Sequence, residues 1–376
     1  MTVPTPTRTV VVVAGGGTGG HVYPALAVAD ELVRRGHDPA AVHFLGSARG
    51  LEARAVPAAG YAVDLLPGRG LRRSLAPSAL AQNLRTVAET VVAALRAVRL
   101  LRRWRPAVVF GVGGYASAPG VLAARLLRIP VVVHEQNAAP GVVNRLALAL
   151  GATAAFSLPG TALAGAVLTG NPVRAAIVDA GTAAARDGTQ AQPGYVGVVG
   201  GSLGARRVND AVLDLARSWR HRGDRTIRHV TGPRDYQRCV DEWAQRPAGD
   251  DTLRYEQIEY EQDMPALYAR AEVVVARAGA VTVAELAVAR TPAVVVPLPG
   301  APSDHQTANA RALVAAGAAV MVPDAECDGP RLAAELDALL DDRARLAAMG
   351  EAVATLARPD AAARVADLLE EAAGGR

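Results

Sequence analysis

The chain has 376 residues, 51% of them apolar and 20% charged, which is typical of a folded protein and excludes a disordered one. Its length exceeds one ordinary core and favours two domains. Aromatic residues make up only 4%, which argues against nucleic-acid binding by base stacking. The net charge is +4, and the chain contains no lysine, so arginine supplies all of its basic charge.

The first predicted elements are a buried strand and a helix on either side of a glycine-rich loop. Thr9–Ala14 is a continuous β-branched run, residues 15–20 are rich in glycine, and Pro24–Arg35 has helical periodicity. Further apolar runs that alternate with helical segments are Val42–Leu45, Ala107–Gly111 and Val131–His134. Strands that alternate with helices predict a parallel sheet joined by crossover helices.

The first glycine loop matches the dinucleotide-binding pattern G-x-G-x-x-G, but its context disfavours a nicotinamide site. Such a site needs an acidic residue at the end of the second strand, and Val42–Ser47 has none. The loop still brings backbone amides close to a ligand, and His21 follows it at the start of the helix. His21 suits a general base, with a structural or capping histidine as the alternative.

Basic residues cluster in the first half, at Gly70–Arg73 and in the helical run Arg96–Arg105. Leu95, Val98, Leu101 and Trp104 interleave with this second group. The pattern fits an ordinary helix that buries its leucines and solvates its arginines. It also fits a surface that lies against an anionic membrane.

No charged residue occurs between Arg145 and Arg174, but glycine and proline interrupt this stretch too often for a membrane span. We expect a helix end followed by short buried strands. The N-terminus also lacks the apolar segment of a signal peptide. Any membrane contact is therefore expected to be peripheral, and the two cysteines, which lack metal-ligand spacing, favour a reducing compartment.

The strand–loop–helix pattern restarts in the second half with the strand Tyr195–Val199, the loop Gly200–Gly204 and the helix Arg206–Arg217. Later predicted strands are Thr226–Thr231, Val273–Ala276 and Ala293–Pro297. Two similar α/β halves joined near residues 171–192 predict a ligand-binding cleft between domains. A last helix, Ala361–Ala373, begins after Asp360 and is free to pack on either half.

Three segments of the second half favour the binding of a diphosphate and a sugar. Ser202 lies in the second glycine loop, where backbone amides hold phosphate. Residues 277–285 form a small-residue loop that opens a helix, with Glu285 able to accept hydrogen bonds from sugar hydroxyls. Gln306 and Asn309 follow at another helix start.

The sequence closely resembles the bacterial MurG family, the undecaprenyl-diphospho-muramoylpentapeptide N-acetylglucosaminyltransferases. The motifs that carry the resemblance over nearly the whole chain are Gly15–His21, Gly111–Gly120, His134–Asn137, Gly170–Arg174, Gly200–Arg206, Arg277–Leu286 and Asp304–Ala310. The resemblance implies the GT-B glycosyltransferase fold, an α/β class of two Rossmann-like domains with an interdomain cleft. It places the acceptor on residues 1–173, joined by the C-terminal helix 357–376, and the UDP-sugar on residues 174–356.

The resemblance also implies the positions that bind substrate. Glu285 would hold the ribose hydroxyls, Gln306 would distinguish N-acetylglucosamine from its C4 epimer, and Asn137 would approach the donor sugar. The full set is Thr18, Gly19, Gly20, Asn137, Arg174, Ser202, Ala280, Val281, Thr282, Val283, Ala284, Glu285 and Gln306. The family's backbone contact to uracil falls near residues 261–264, where the local sequence does not single out one residue.

The implied reaction is inverting transfer of N-acetylglucosamine from UDP-GlcNAc to the C4 hydroxyl of undecaprenyl-pyrophosphoryl-MurNAc-pentapeptide. The expected base is His21, with Glu135 as the second candidate, and no cofactor or metal ion is expected to be required. The expected partners are the two substrates, an anionic membrane surface at the cytoplasmic face of the cell membrane and cell-wall synthesis proteins, but no nucleic acid. The alternatives are another UDP-sugar enzyme of this fold, such as an epimerase or a transferase with a soluble acceptor, and a nucleotide-binding scaffold without turnover.

Overall fold

The computed structural model describes residues 11–67, 77–159, 161, 163–187, 191–201, 204–246 and 249–374, without the side chains of 77–85, 87 and 302. The chain divides into two compact units. The first comprises Met1–Arg174 with Asp360–Arg376, and the second comprises Ala175–Pro359. Arg174, predicted to open the second half, is therefore the last residue of the first unit before the chain crosses over.

The first unit is built on a seven-stranded sheet of order β3-β2-β1-β4-β5-β6-β7, in which every pair of neighbours is parallel. Its strands are β1 Val11–Ala14, β2 Val42–Ser47, β3 Ala62–Leu66, β4 Val108–Gly111, β5 Val131–Glu135, β6 Thr153–Phe156 and β7 Val167–Leu168. Its helices are α1 Gly19–Arg34, α2 Glu52–Ala58, α3 Pro77–Trp104, α4 Ala118–Leu126, α5 Val142–Ala149 and α14 Ala361–Gly374.

The valine-rich strands of this sheet are buried on both faces, as their continuous apolar runs predict. Because side chains alternate along a strand, Val11 and Val13 pack with α1 and α14, whereas Val12 and Ala14 pack with α3 and α4. Val98 and Leu101 of α3 are buried in the same cluster as Val12 and Ala14, so they do not belong to the solvent-exposed face of α3.

The C-terminal helix packs on the first unit. Val365 and Leu369 are fully buried there, each with 0% exposed surface. Arg35, at the end of α1, donates hydrogen bonds to Asp367 and Glu370, both at 2.7 Å. Apolar burial and these ion pairs fix which half the helix joins, a choice that the sequence pattern left open.

The second unit repeats the architecture with a six-stranded parallel sheet of order β10-β9-β8-β11-β12-β13. Its strands are β8 Tyr195–Val199, β9 Thr226–Val230, β10 Arg254–Ile258, β11 Val273–Ala276, β12 Ala293–Val295 and β13 Ala319–Met321. Its helices are α6 Ala175–Asp187, α7 Arg206–Ser218, α8 Tyr236–Ala244, α9 Met264–Arg270, α10 Ala280–Ala289, α11 His305–Ala315, α12 Gly329–Leu340 and α13 Arg343–Ala354.

Most predicted strands agree with the structure to within two residues, and Tyr195–Val199 and Val273–Ala276 agree at both ends. The first helix was predicted to begin at Pro24 but begins at Gly19. Proline is favoured in the first turn of a helix, which misplaced the boundary, whereas the glycines allow the helix to start earlier. This shift places His21 inside the first turn of α1.

The uncharged stretch before Arg174 forms the end of α5 and the strands β6 and β7. The expectation that both strands are buried is wrong for β7, where Val167 is 44% exposed because the strand lies at the edge of the sheet. Within the described part of the chain, no helix combines the length and the apolar character that crossing a bilayer would require.

Candidate active site

The carboxyl ends of β1, β4 and β5 lie side by side in the first sheet, and each opens into a loop that contains a motif. Ligands of open parallel sheets bind at such carboxyl ends. The loop after β1 leads to His21, the loop after β4 holds Gly113 and Gly114, and the loop after β5 holds Gln136 and Asn137. Residues distant in sequence are thereby collected at one edge.

The buried carboxylate of Glu52, a residue that nothing in the sequence singles out, holds the first glycine loop in place. This carboxylate is 1% exposed and accepts hydrogen bonds from the backbone N–H groups of Gly17 and Ser47, both at 2.7 Å. A Cβ atom at Gly16 or Gly50 would collide with it. In sequence, Glu52 looks like an ordinary acidic residue in the first turn of a helix, so only the fold reveals its role.

His21 lies in the first turn of α1, directly after Thr18, Gly19 and Gly20, and its side chain is half-buried. Its Nδ1 atom is 3.1 Å from Oε1 of Gln136. A Cβ atom added to Gly114 would lie 3.2 Å from Nε2 of His21, so the loop after β4 packs closely against the ring.

Glu135, the second candidate base, is committed to the loop that follows β5. It is 3% exposed, and Oε1 accepts hydrogen bonds from the backbone N–H of Asn137 at 3.0 Å and from its side-chain amide at 3.4 Å. Oε2 accepts from the backbone N–H of Gly141 and the side chain of Asn144, both at 2.8 Å. A buried carboxylate that accepts four hydrogen bonds from its surroundings holds the loop in shape.

Two further contacts tie this edge to the end of the unit. His134 donates from Nε2 to the carbonyl of Gly170 at 2.9 Å, and its burial lowers the pKa of the imidazole to about 4, so it is neutral near pH 7. The Arg174 guanidinium lies 5.1 Å from the centre of the Tyr23 ring of α1, a cation–π contact.

In the second unit, the helix start predicted to face phosphate is α10. Its N-cap residue is Gly279. The hydrogen bond from the backbone N–H of Val283 to the Gly279 carbonyl, at 2.9 Å, is the first one of the helical ladder. The backbone N–H groups of Ala280, Val281 and Thr282 therefore have no carbonyl acceptor within the helix. They point toward the helix start, where the helix dipole favours an anion. Ser202, the other predicted diphosphate contact, lies outside the described residues.

Glu285 follows one turn further along α10, after Ala284, and is 4% exposed. Its Oε2 atom accepts a hydrogen bond from the hydroxyl of Tyr268 at 3.0 Å. Nothing in the sequence singles out Tyr268, because one tyrosine in an apolar helix gives no sign of its partner. Tyr268 belongs to α9, so the fold supplies the orienting group for the carboxylate.

Gln306 lies near the start of α11, where its Oε1 atom accepts a hydrogen bond from the backbone N–H of Leu298 at 2.9 Å. Because this bond engages the amide oxygen, the NH₂ group is the part of the Gln306 side chain that can donate to another group. Asn309 is fully buried and donates to the carbonyl of Ala278 at 3.0 Å, so it fixes the loop before α10. Asn309 therefore stabilises the loop that leads into α10 and is not exposed to a ligand.

A buried polar network lies next to Gly204, at the end of the second glycine loop. Asn209 donates to the carbonyl of Thr231 at 2.9 Å, and its Oδ1 atom is 3.0 Å from Nε2 of His229. His229 Nδ1 accepts from the Tyr255 hydroxyl at 2.7 Å. Burial lowers the pKa of His229 to about 3, so the network is built on a neutral imidazole. Among the described residues, no three His, Cys, Asp or Glu side chains are grouped so as to hold a metal ion.

Two family models match this chain. The glycosyltransferase family 28 N-terminal domain matches residues 11–155, and the glycosyltransferase family 28 C-terminal domain matches residues 195–365. Each match covers most of one of the two α/β units.

Curated relatives are similar over almost their whole length. A UDP-N-acetylglucosamine–N-acetylmuramyl-(pentapeptide) pyrophosphoryl-undecaprenol N-acetylglucosamine transferase from Methylococcus capsulatus is 44% identical over 369 residues, covering 97% of this chain and 99% of the relative. The protein of the same name from Alkalilimnicola ehrlichii is 43% identical over 365 residues, covering 96% and 99% of the two chains.

Solved structures agree on the fold. Acinetobacter baumannii MurG has a TM-score of 0.75 at 31% identity and covers 96% of this chain and 99% of its own. A Neisseria meningitidis UDP-GlcNAc 2-epimerase bound to UDP-GlcNAc has a TM-score of 0.62 at 15% identity, covering 96% of this chain and 100% of its own, and at that identity it shows the fold alone. The predicted GT-B fold class and the resemblance to the MurG family are confirmed.

Proposed function

Because this chain belongs to glycosyltransferase family 28, we propose that it transfers N-acetylglucosamine from UDP-GlcNAc to the C4 hydroxyl of the lipid-linked N-acetylmuramyl-pentapeptide. This is the step from lipid I to lipid II in peptidoglycan synthesis. The 44% identity to a transferase of that name over 97% of the chain supports the choice of both substrates. An epimerase of the same fold is far less similar, at 15% identity.

The observation that carries the proposal is the position of His21 at the carboxyl ends of β1, β4 and β5 in the first unit. Its ring is half-buried between the loops after β4 and β5, so it is held in place while keeping access to solvent. Glu135 has its four hydrogen bonds inside the protein. We therefore assign the base to His21 and a scaffold role to Glu135.

The donor is assigned to the second unit, where α10 begins and Glu285 lies. The diphosphate would meet the amides of Ala280–Thr282 and the positive end of the helix dipole. Glu285, oriented by Tyr268, would accept hydrogen bonds from the ribose hydroxyls, and the NH₂ group of Gln306 would donate to a sugar hydroxyl. Backbone donors and a helix dipole can stabilise a diphosphate leaving group, so we propose that no metal ion or cofactor is required.

The proposed step is a single displacement with inversion at C1 of the sugar. The acceptor's hydroxyl oxygen attacks C1, its proton passes to Nε2 of His21, and the bond between C1 and the UDP oxygen breaks. The electron pair of that bond leaves with UDP. Proton removal by a positioned base is typically worth about 10²–10⁴-fold in rate.

The test measures UDP release from UDP-GlcNAc with and without the lipid-linked acceptor, and repeats the measurement with UDP-GalNAc. We expect release only with both the acceptor and UDP-GlcNAc. His21→Ala should lower kcat by about 10²–10⁴-fold while leaving UDP-GlcNAc binding nearly unchanged. His221→Ala, which removes an exposed histidine of the second unit, is the matched control.

Two results would contradict the assignment. Consumption of UDP-GlcNAc without an acceptor would favour an epimerase, and a His21→Ala variant with near-normal kcat would remove His21 as the base. UDP-GlcNAc binding without turnover, even with the lipid-linked acceptor present, would favour a nucleotide-binding scaffold.

We further propose peripheral contact with an anionic membrane at its cytoplasmic face, through the outer side of α3. The other basic group predicted from the sequence, Gly70–Arg73, lies outside the described residues. Val91 and Leu95 are 54% and 57% exposed, and Arg96 and Arg99 near them are exposed as well. In α4, which packs beside α3, Leu126 is 71% exposed. Exposed apolar side chains among arginines suit a surface of anionic lipids, where each basic residue contributes about 1 kcal/mol.

Vesicle sedimentation tests this surface. The protein should sediment with vesicles that contain an anionic lipid more than with purely zwitterionic ones, and a Val91→Ser/Leu95→Ser variant should lose most of this binding. Val314→Ser replaces a comparably exposed apolar residue of the second unit and should have no effect. Binding that is independent of anionic lipid would refute the proposal.

A further inference from the structure

Gln136 lies between the proposed base and the protein backbone. It is 1% exposed, directly follows β5 and contacts two groups at once. Its Oε1 atom is 3.1 Å from Nδ1 of His21, and its Nε2 atom donates to the carbonyl of Val112 at 3.0 Å.

The Val112 carbonyl determines which way the amide of Gln136 points. A carbonyl oxygen only accepts hydrogen bonds, so the group that faces it must be the NH₂ of the amide. If the amide were turned over, two acceptor oxygens would face each other at 3.0 Å inside the protein. Val112 is itself fixed, because its N–H donates to the carbonyl of Ala14 at 3.0 Å in continuation of the sheet.

The orientation of this amide in turn determines the tautomer of His21. Oε1 of Gln136 only accepts, so Nδ1 of His21 must carry the proton that lies between them. In a neutral imidazole, a protonated Nδ1 leaves the lone pair on Nε2. That is the nitrogen that a general base needs on the side away from Gln136.

We propose that Gln136 is a positioning residue that holds His21 in the Nδ1–H tautomer, with Nε2 as the proton acceptor, through an amide fixed by the Val112 carbonyl. This inference rests on the proposed role of His21 as the base. The chain of contacts begins in the sheet and ends at the imidazole. Gln136 itself touches neither substrate in this scheme.

Nitrogen-15 NMR of histidine-labelled protein tests the tautomer directly and needs no turnover. The His21 signals are identified by their loss in His21→Ala, and the wild type should show Nδ1 protonated and Nε2 unprotonated at a pH where the ring is neutral. Gln136→Met keeps the length of the side chain but has no amide, and it should shift His21 towards the opposite tautomer. A wild-type ring protonated on Nε2, or a tautomer unchanged in Gln136→Met, would overturn the proposal.

A double-mutant cycle then links the tautomer to the reaction. Gln136→Met should lower kcat by at least about 10-fold, and by no more than the whole contribution of a general base, about 10²–10⁴-fold. In the His21→Ala background the same change should have almost no effect. An equal loss in both backgrounds would indicate a merely structural role and would overturn the proposal.

Gln237→Met is the control, because Gln237 also donates a hydrogen bond from its side-chain amide, to Asp241 at 2.9 Å, but lies exposed on α8 of the second unit. Its kcat should equal that of the wild type. The wild-type spectrum by itself remains decisive if Gln136→Met does not fold. A protein that shows the expected tautomer but no transfer to the lipid acceptor would refute the proposed function and leave the assignment to Gln136 intact.

Discussion

Glu135→Gln separates a scaffold from a proton acceptor, since the two roles predict opposite outcomes. The carboxylate accepts four hydrogen bonds, two on each oxygen: three come from the loop after β5 and one from Asn144 of α5. Whichever way a glutamine amide is turned, its NH₂ group faces two of these donors. Hydrogen bonds to a charged group are worth about 1.5–3 kcal/mol each, so losing two of them costs about 3–6 kcal/mol.

Thermal unfolding measures this loss. In a domain of this size each kcal/mol lowers Tm by roughly 2–4 °C, so the midpoint of the first unit should fall by on the order of 10 °C. Glu351→Gln, which alters a 78% exposed carboxylate paired with Arg290 at 3.4 Å, should leave Tm nearly unchanged. If Glu135→Gln kept the wild-type Tm but lost 10²-fold or more in kcat, the scaffold assignment would be wrong, and Glu135 would be the base.

Three further changes test other parts of the two units. Gly114→Ala adds a methyl group 3.2 Å from His21 Nε2 at a backbone φ of 71°, so kcat should fall at least about 10-fold with UDP binding retained, and a normal kcat would exclude this close approach. Tyr268→Phe removes the 3.0 Å hydrogen bond to Glu285 and should raise KM for UDP-GlcNAc about 5–10-fold in steady-state assays, with an unchanged KM as the contrary result. Burial lowers the pKa of His229 from 6.5 to about 3, so the unfolded chain takes up a proton below pH 6.5 that the folded one does not. Between pH 7.5 and pH 5, urea unfolding should therefore show a loss of stability that is about 2 kcal/mol larger in the wild type than in His229→Gln, and an equal loss in the two proteins would rule out this source.

The sequence identified the elements whose signals are local. Continuous valine runs predicted strands buried on both faces, and Tyr195–Val199 was predicted to the residue because apolar runs and flanking glycines mark both ends. The repetition of strand, glycine loop and helix gave two α/β halves. The motifs around His21 and Glu285 gave the family, which the comparisons confirm.

Only the tertiary structure decided which side chains act on one another. Gln136 and His21 are 115 positions apart, and they meet because β1 and β5 flank β4 in a parallel sheet whose carboxyl ends share one edge. Glu52 and Tyr268 gain their roles in the same way, from strand order and helix packing. Periodicity and motif spacing report the local conformation of a chain and the ligands that it suits, whereas hydrogen-bond partners and protonation states depend on contacts that sequence order does not contain.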